Sequence, residues 1–298
     1  MRTYDGLELH VTTHGPDEAD VTVVLAHCWT GDEAGWHYQV RDLLGRFGHE
    51  IRILTWDHRG HGRSGRCAEV ACTIDNLARD LGDLVDRHAP SGRLVLAGHS
   101  IGGMAMTQLP ATRPDLLSRV AGVMFVATSS GRLNTVTLGL PETGRFVRAQ
   151  VPRVLAMRAR MLSRRSRRGS PRIERQVARR FLFGRDASPR DIGLAVDQLI
   201  NCAPETFSGY YRDMMIHERT AGLSAYDGIP TTVLVGSSDL LTPPHHGRRI
   251  AGHIKGARFL VAPGAGHYLP LERPGLVSGE LIDLVQMALQ DQAATALR

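Results

Sequence analysis

Cysteine, lysine and long apolar runs are all scarce in this 298-residue sequence. Four cysteines are present, at positions Cys28, Cys67, Cys72 and Cys202. They have neither Cys-x-x-Cys spacing nor the density of a disulfide-stabilised scaffold, so we expect reduced thiols. No stretch reaches the roughly 18 uninterrupted apolar residues of a membrane span, and the polar start lacks the apolar run of a signal peptide. The sequence therefore predicts a cytoplasmic protein with no membrane span.

Lysine is limited to Lys255, although the formal net charge is +6. The positive charge therefore comes from arginine, and we attribute this bias to a GC-rich gene rather than to a basic binding surface. No helix-turn-helix, zinc-finger or RNA-binding signature accompanies it, so no nucleic-acid partner is predicted. His58 and His61 form a pair, but no Cys, Asp or Glu stands at ligand-like spacing, and no metal site is predicted.

Short aliphatic and β-branched runs recur along the chain, with helical patterns between them. Their apolar residues do not alternate with polar ones, which is typical of strands buried on both faces of a parallel sheet. The predicted strands are Val21–Ala26, Ile51–Trp56, Leu94–Ala97, Val120–Val126, Thr231–Val235 and Arg258–Ala262. The earlier stretch Leu7–Thr13 alternates instead and predicts a half-exposed edge strand. Ile74–Arg87 carries a helical stripe of apolar residues, and the alternation of strands and helices predicts a mostly parallel α/β sheet.

The strand pattern is interrupted between residues 129 and 227, where the sequence is helical in character. An insertion of this length between two core strands predicts a helical cap over one end of the sheet. The predicted domains are therefore a core of residues 1–128 and 228–298 and a cap of residues 129–227. Within the cap, Arg145–Arg185 is rich in arginine. This segment is interpreted either as solvated helices or as a surface that attracts an anionic substrate, an acyl carrier or a membrane.

The strongest local motif is Gly98-His99-Ser100-Ile101-Gly102, which matches G-x-S-x-G. It follows a predicted strand and precedes a predicted helix that begins at Ile101. In that context the motif predicts a nucleophile elbow, where a sharp turn strains Ser100 while Gly98 and Gly102 leave room for it. We expect His99 to pack and hydrogen-bond beneath the nucleophile. The Ile101 N–H, at the helix N-terminus, is a candidate donor to an oxyanion.

A serine hydroxyl needs a base within hydrogen-bond reach and a carboxylate that orients the base. His267 ends a Gly-Ala-Gly-His stretch that follows the last predicted strand, and Asp239 follows the strand before it. The chain order Ser, Asp, His matches that of nucleophile-elbow enzymes. The sequence therefore predicts Ser100 as nucleophile, His267 as base and Asp239 as the acid.

Asp57 is the main alternative to Asp239 as the acid. It lies on the loop Trp56–Ser64, which we interpret as structural support near the site. Asp239 is favoured because of its place after the predicted strand Thr231–Val235, between Ser100 and His267 in the chain order Ser, Asp, His. Other histidines are weaker candidates for the base, since they lie near predicted helix ends or within the elbow.

A second oxyanion donor is expected on the loop after the strand Val21–Ala26. This loop reads His27-Cys28-Trp29-Thr30-Gly31. The amide N–H of Trp29 is the candidate donor, and its ring is also a candidate wall of the pocket.

Together these motifs resemble the α/β-hydrolase superfamily, in its esterase, lipase and peroxidase-like branch. The resemblance rests on the elbow and on three further stretches: D-x-R-G-x-G-x-S at 57–64, G-x-x-D-x-x-x-P at 236–243 and G-x-G-H at 264–267. It implies an eight-stranded sheet, a cap after the sixth strand and no cofactor. The chain departs from the family at Cys28, where glycine usually follows the histidine. We therefore expect a narrower or differently turned oxyanion loop.

The leading hypothesis is a serine hydrolase that acts on a carboxylic ester or thioester through an acyl-enzyme. Serine at position 100 disfavours the haloalkane dehalogenase and epoxide hydrolase branches, which resemble this fold but attack with aspartate. The alternative is a biosynthetic enzyme of the same fold that cyclises a natural-product intermediate, or forms or cleaves a carbon–carbon bond. A non-catalytic binding protein is disfavoured, because a receptor needs no triad. The predicted partner is a small-molecule substrate, whose identity stays open, as does the oligomeric state.

Overall fold

The computed structural model describes residues 1–135 and 172–296. The described residues form seven strands: β1 (Val11–His14), β2 (Val21–Ala26), β3 (Ile51–Trp56), β4 (Arg93–His99), β5 (Val120–Val126), β6 (Thr231–Gly236) and β7 (Arg258–Ala262). They make one sheet in the order β1-β3-β2-β4-β5-β6-β7. β1 is antiparallel to β3, and every other neighbouring pair is parallel. The predicted mostly parallel sheet is therefore confirmed.

Within the described residues, the sheet has one strand fewer than the eight that the family resemblance implies. Near the N-terminus, where a further edge strand would pair, only a single bridge joins Arg2 and Glu8. Gly6, with a φ of 83°, turns the chain between them. The predicted edge strand Leu7–Thr13 is also shifted, because regular pairing with β3 begins only at Val11. The inserted segment consequently follows the fifth strand and not the sixth.

Nine α-helices lie in the described ranges: α1 (His37–Phe47), α2 (Ile74–His88), α3 (Ile101–Thr112), α4 (Arg172–Phe181), α5 (Pro189–Asn201), α6 (Pro204–Ile216), α7 (Pro244–Ala251), α8 (Leu269–Glu272) and α9 (Pro274–Ala296). α2 begins where the side chain of Thr73 accepts a hydrogen bond from the N–H of Asn76 at 3.2 Å. None of these helices is long and apolar enough to cross a membrane.

Helices cover both faces of the sheet. Neighbouring residues of a strand point to opposite sides, so the central strands pack against helices on both faces. Val24 and Leu54 lie in one apolar cluster with residues of α2 and α3. Val23 and Ile53 lie in a second cluster with residues of α1 and α9. The five strands β2 to β6 are thus buried on both sides. The carboxyl ends of the parallel strands form the edge where α/β sheets bind ligands.

The described part of the segment between β5 and β6 contains α4, α5 and α6. A third apolar cluster joins this segment to the core, where Phe183 packs with Cys28 and Tyr268. Most of the arginine-rich segment Arg145–Arg185, namely residues 145–171, lies outside the described residues. The predicted cap boundaries, 129–227, stay a prediction.

Candidate active site

Ser100 stands at the turn between β4 and α3, at the carboxyl edge of the sheet. Its backbone has φ 54° and ψ −115°, a region that residues with a side chain rarely adopt. The Ser100 N–H donates to the carbonyl oxygen of Val126 at 3.0 Å. The Thr128 hydroxyl donates to the Ser100 carbonyl oxygen at 2.6 Å. The turn therefore has the strained geometry expected of a nucleophile elbow, and β5 holds it in place.

Two glycines allow the helix after the elbow to pack directly on the sheet. A Cβ at Gly98 would lie 2.4 Å from the backbone nitrogen of Gly103. A Cβ at Gly102 would lie 2.3 Å from the carbonyl oxygen of Ala26 on β2. Both contacts are with backbone atoms, which cannot turn aside as a flexible side chain can. The elbow motif therefore requires glycine at both positions for close packing.

Gly102→Ala is expected to lower the free energy of unfolding by about 3 kcal/mol, because the added methyl group forces α3 away from β2. Gly45→Ala in α1 is the matched control, since a Cβ there meets no atom within 4 Å. Replacing that helical glycine should raise the free energy of unfolding by up to about 1 kcal/mol. Urea denaturation of both variants measures the difference. Equal stability of the two would contradict the tight contact between α3 and β2.

The predicted acid and the predicted base are in contact. Asp239 follows β6 and His267 follows β7, and His267 Nδ1 donates to Asp239 Oδ2 at 2.8 Å. The side chains of His267 and Asp239 are 3% and 0% exposed. Thr242 also binds this carboxylate, its hydroxyl donating to Oδ2 at 2.7 Å and its N–H to Oδ1 at 2.9 Å. Both carboxylate oxygens are therefore fixed in place.

The electrostatics keep Asp239 ionised. Burial by itself would raise the pKa of this carboxyl, but the His267 ring and the hydrogen bonds from Thr242 lower it below its usual value. An ionised Asp239 holds the proton of His267 on Nδ1. Among the described residues, neither His267 Nε2 nor the Ser100 hydroxyl has a hydrogen-bond partner. Both atoms are therefore available for proton transfer.

The loop that carries His267 is held by Glu272, a residue that the sequence analysis missed. Glu272 Oε2 accepts hydrogen bonds from the N–H of Gly266 at 3.0 Å and from that of Gly184 at 2.6 Å. The His267 N–H donates to the carbonyl oxygen of Leu182 at 2.8 Å. The end of α4 is therefore tied to the base. No local pattern indicates this role, because Gly184 lies 88 positions from Glu272 in the sequence.

His99 lies against the loop of the base. Its Nε2 donates to the carbonyl oxygen of His267 at 2.8 Å, and the two ring centroids are 5.1 Å apart. Burial, reinforced by the neighbouring His267, lowers the pKa of His99 to about 3, so the ring stays neutral. Since His99 directly precedes Ser100, this contact joins the elbow to the His267 loop.

The loop after β2 forms a tight turn over residues 28–31, in which the Gly31 N–H donates to the Cys28 carbonyl oxygen at 3.1 Å. Thr30 has a φ of 63°, and its N–H donates to His61 Nε2 at 3.1 Å. Within the described ranges, the N–H groups of Trp29 and Ile101 have no hydrogen-bond partner. Two free donors therefore stand at the carboxyl ends of β2 and β4.

Cys28 occupies the position where the family usually has glycine. Its side chain packs against Phe183 and Tyr268, and burial raises the pKa of the thiol to about 12. The backbone of Cys28 is not left-handed, so a side chain is tolerated there. Gly31 makes the space, because a Cβ at that position would lie 2.9 Å from the Cys28 sulfur.

Three buried histidines support this loop from behind, and the sequence analysis did not foresee their contact. His27 and His58 stack with ring centroids 3.6 Å apart, and the His58 N–H donates to His27 Nε2 at 2.8 Å. Burial lowers the pKa of His27 and His61 to about 3, so both are neutral acceptors. Within the described residues, no group of three or more His, Cys, Asp or Glu is arranged to hold a metal ion.

These neutral histidines are expected to make the fold acid-sensitive. The unfolded chain binds a proton on each near pH 6.5, whereas His27, His61 and His99 do so in the folded state only near pH 3. The free energy of unfolding is therefore largest above pH 6.5. It decreases as the pH is lowered from 6.5 towards 3, and each histidine removes about 1.4 kcal/mol per pH unit. We expect His99→Gln, which keeps a donor to the His267 carbonyl, to show a pH dependence weaker by that amount.

Urea denaturation of wild type and His99→Gln between about pH 6 and pH 4 measures this difference. Comparing the two proteins cancels the contribution of all carboxylates, which are shared. An identical pH dependence of the free energy of unfolding would show that folded His99 binds a proton as readily as the unfolded chain does.

Asp57 supports the neighbouring loops and does not contact the base. Its carboxylate accepts hydrogen bonds from the N–H of Glu33 at 2.9 Å and from that of Arg63 at 2.8 Å. In the same loop, Arg59 forms two 2.6 Å hydrogen bonds with Asp80 of α2, and both of these side chains are fully buried. These contacts agree with the interpretation of this loop as structural support.

A cleft of about 880 Å³ lies between α4 and the connection from β6 to α7. Its lining residues are Gln176, Arg179, Arg180, Phe183, Gly184, Arg185, Ser238 and Leu240. Because Ser238 and Leu240 flank Asp239 in sequence, the cleft adjoins the acid side of the site. The three arginines come from the described end of the arginine-rich segment and give the cleft positive charge.

A parallel sheet covered by helices, with a strained serine after β4 and an Asp–His pair after β6 and β7, has the architecture of the α/β hydrolases. Residues 21–274 match the family described as the alpha/beta hydrolase fold. The chain belongs to that family, and it is an enzyme of the α/β-hydrolase class.

Three known proteins are similar to this chain over nearly their whole length. A protein of Variovorax paradoxus that carries the name carbamate hydrolase RutD is 25% identical, covering 94% of this chain and 96% of its own. Epoxide hydrolase A of Mycobacterium tuberculosis is 26% identical, covering 94% of this chain and 95% of its own. A solved structure, a thermophilic esterase from Thermogutta terrifontis, is 24% identical, with a TM-score of 0.74 and 97% and 96% covered. This last similarity establishes the fold alone.

Proposed function

We propose that the protein is a serine hydrolase that cleaves a carboxylic ester or thioester. The observation that carries the proposal is the buried 2.8 Å hydrogen bond between His267 and Asp239, on the same sheet edge as the strained Ser100. In the hydrolytic triad of this fold, serine is the nucleophile, histidine the base and aspartate the acid, and they follow one another in the chain order Ser, Asp, His.

In the proposed reaction, His267 Nε2 accepts the proton of the Ser100 hydroxyl as its oxygen attacks the carbonyl carbon. The resulting imidazolium is stabilised by the ionised Asp239 through Nδ1–H. The N–H groups of Ile101 and Trp29 donate to the oxyanion, and the N-terminus of α3 adds its dipole. His267 then protonates the leaving alcohol or thiol. A water molecule, deprotonated by His267, releases the acid from Ser100 in the second half of the reaction.

The name of the Variovorax paradoxus relative agrees with attack on a carbonyl carbon. A carbamate, like an ester, carries a carbonyl group bonded to a heteroatom leaving group. Epoxide opening is not proposed, because Ser100 occupies the elbow where the epoxide hydrolases resembled by this fold have aspartate. A biosynthetic role on a natural-product intermediate was suggested by Cys28 and by the arginine-rich segment. Cys28 packs in an apolar cluster and most of that segment lies outside the described residues, so neither favours this role.

We further propose that residues 129–227 act as a cap that shapes the substrate pocket. Its support is the contact between the end of α4 and the His267 loop, where the carbonyl oxygen of Leu182 accepts the His267 N–H at 2.8 Å. On this proposal the substrate is a small molecule bound between cap and core. A cytoplasmic location stays a prediction.

Fluorophosphonate labelling tests the proposal directly, since these probes phosphonylate activated serines. We expect wild type to be labelled with one equivalent and to hydrolyse short-chain nitrophenyl esters. Two results would overturn the serine mechanism. One is a folded wild-type protein that takes no label, and the other is a Ser100→Ala variant that is labelled as well as wild type. Labelling without turnover of any ester or thioester would overturn the proposed substrate class and leave the nucleophile intact.

A further inference from the structure

Two cysteines outside the site lie in direct contact. The sulfur atoms of Cys67 and Cys72 are 2.6 Å apart, on the connection between β3 and α2. This separation is far shorter than van der Waals contact between two sulfur atoms. Cys72 is fully buried, whereas Cys67 is partly exposed. Cys67 is therefore the more accessible cysteine of the pair.

The backbone between the two cysteines already has a closed shape. Residues Glu69–Ala71 form one turn of 3-10 helix, in which the Ala71 N–H donates to the Ala68 carbonyl oxygen at 2.9 Å. The Cys72 N–H donates to the Glu69 carbonyl oxygen at 3.3 Å. A disulfide needs two cysteines whose Cβ atoms already face each other. This turn brings them together, so a bond between the sulfurs requires little movement of the chain.

The surroundings make the two thiols unequal. A hydrogen bond from the Cys72 thiol, assisted by the positive charge of Arg59, lowers the pKa of Cys67 against the effect of burial. The hydrogen bond to Cys67 and burial raise the pKa of Cys72. The accessible sulfur is thus the better thiolate, which is the arrangement of an attacking and a resolving cysteine.

We propose that Cys67 and Cys72 are a redox-modification site that forms a reversible disulfide by exchange with a low-molecular-weight disulfide. The Cys67 thiolate attacks one sulfur of that disulfide, a mixed disulfide forms, and one thiolate leaves. Cys72 then attacks the Cys67 sulfur, and its proton passes to the thiolate that this attack expels. The two cysteines are oxidised, and the small disulfide is reduced to two thiols. The site is independent of the proposed hydrolytic function.

The closed disulfide would fix a loop on which α6 rests. A Cβ at Gly209 of α6 would lie 2.3 Å from the carbonyl oxygen of Glu69 and 2.7 Å from the Cβ of Cys72. On the same helix, the Phe207 ring lies on the Trp29 ring, with centroids 4.2 Å apart. Oxidation should therefore slow amide hydrogen exchange at 67–72 and at the start of α6.

Alkylation and peptide mapping test the proposal on the full-length enzyme. The protein is incubated with glutathione disulfide, denatured, alkylated and digested with trypsin, which releases Cys67–Arg79 as one peptide. We expect this peptide to be unalkylated and lighter by two hydrogen atoms, and to become fully alkylated after reduction. Cys28 and Cys202, both buried, are the internal controls and should stay alkylated.

Two variants separate the steps. Cys72→Ser should accumulate glutathione on residue 67 at least about tenfold more than wild type, because the resolving thiol is missing. Cys67→Ser should take up no glutathione at residue 72. Full alkylation of wild-type Cys67 and Cys72 after oxidation would overturn the proposal. A glutathione adduct that persists at wild-type Cys67, or a bond from either cysteine to Cys28 or Cys202, would overturn it equally.

Discussion

Ser100→Ala is expected to lower kcat for a nitrophenyl ester by about 10⁶-fold while the protein stays folded. The substitution removes the attacking oxygen and leaves the donors of the site unchanged. The alanine side chain is no larger than that of serine, and the hydroxyl has no partner among the described residues. The melting temperature should therefore be close to that of wild type. Initial rates at saturating ester, with circular dichroism of the same samples, measure both effects.

Ser91→Ala is the matched control, because Ser91 is an exposed serine in front of β4. Its kcat should equal that of wild type. If Ser100→Ala retains activity within about tenfold of wild type, Ser100 is not the nucleophile, since loss of a triad serine costs far more.

Asp239→Asn is expected to lower kcat by about 10⁴-fold. The carboxylate accepts the His267 Nδ1 proton at 2.8 Å, and an amide nitrogen in its place would donate. The ring would then carry its proton on Nε2, where it cannot accept the proton of Ser100. The KM should change little, because Asp239 lies behind the base.

Asp57→Asn distinguishes the two candidate acids. Asp57 accepts hydrogen bonds from the backbone of Glu33 and Arg63, so its loss should lower the free energy of unfolding by about 1–3 kcal/mol. Its kcat should stay within about tenfold of wild type. A drop in kcat for Asp57→Asn as large as that for Asp239→Asn would contradict the assignment of the acid.

Much of the site could be predicted from the sequence because its residues follow strands. Ser100 follows the buried strand β4, Asp239 follows the buried strand β6 and His267 follows β7. The carboxyl ends of parallel strands meet at one edge. The strands themselves were predictable because a run buried on both faces is apolar without alternation. The eight-stranded count is not confirmed, because the described residues form seven strands. That count came from the family resemblance and not from an apolar run near Arg2.

The supporting residues could not be predicted, because their partners are distant in sequence. Glu272 binds the N–H of Gly184, 88 positions away, and His61 binds the N–H of Thr30, 31 positions away. A lone glutamate or histidine has no periodic signal that marks such a contact. The sequence also did not show that the Cys28 side chain fits in this loop, since the fit depends on the space that Gly31 leaves.

Ser100 is expected to form a covalent acyl-enzyme during turnover. Intact mass spectrometry after rapid acid quenching with a slowly hydrolysed ester measures it most directly. We predict one acyl group per chain, located by tryptic mapping on Leu94–Arg119 at Ser100, and none on Ser100→Ala. Steady turnover of the ester with no acyl adduct on wild type, or an adduct on another residue, would contradict the account.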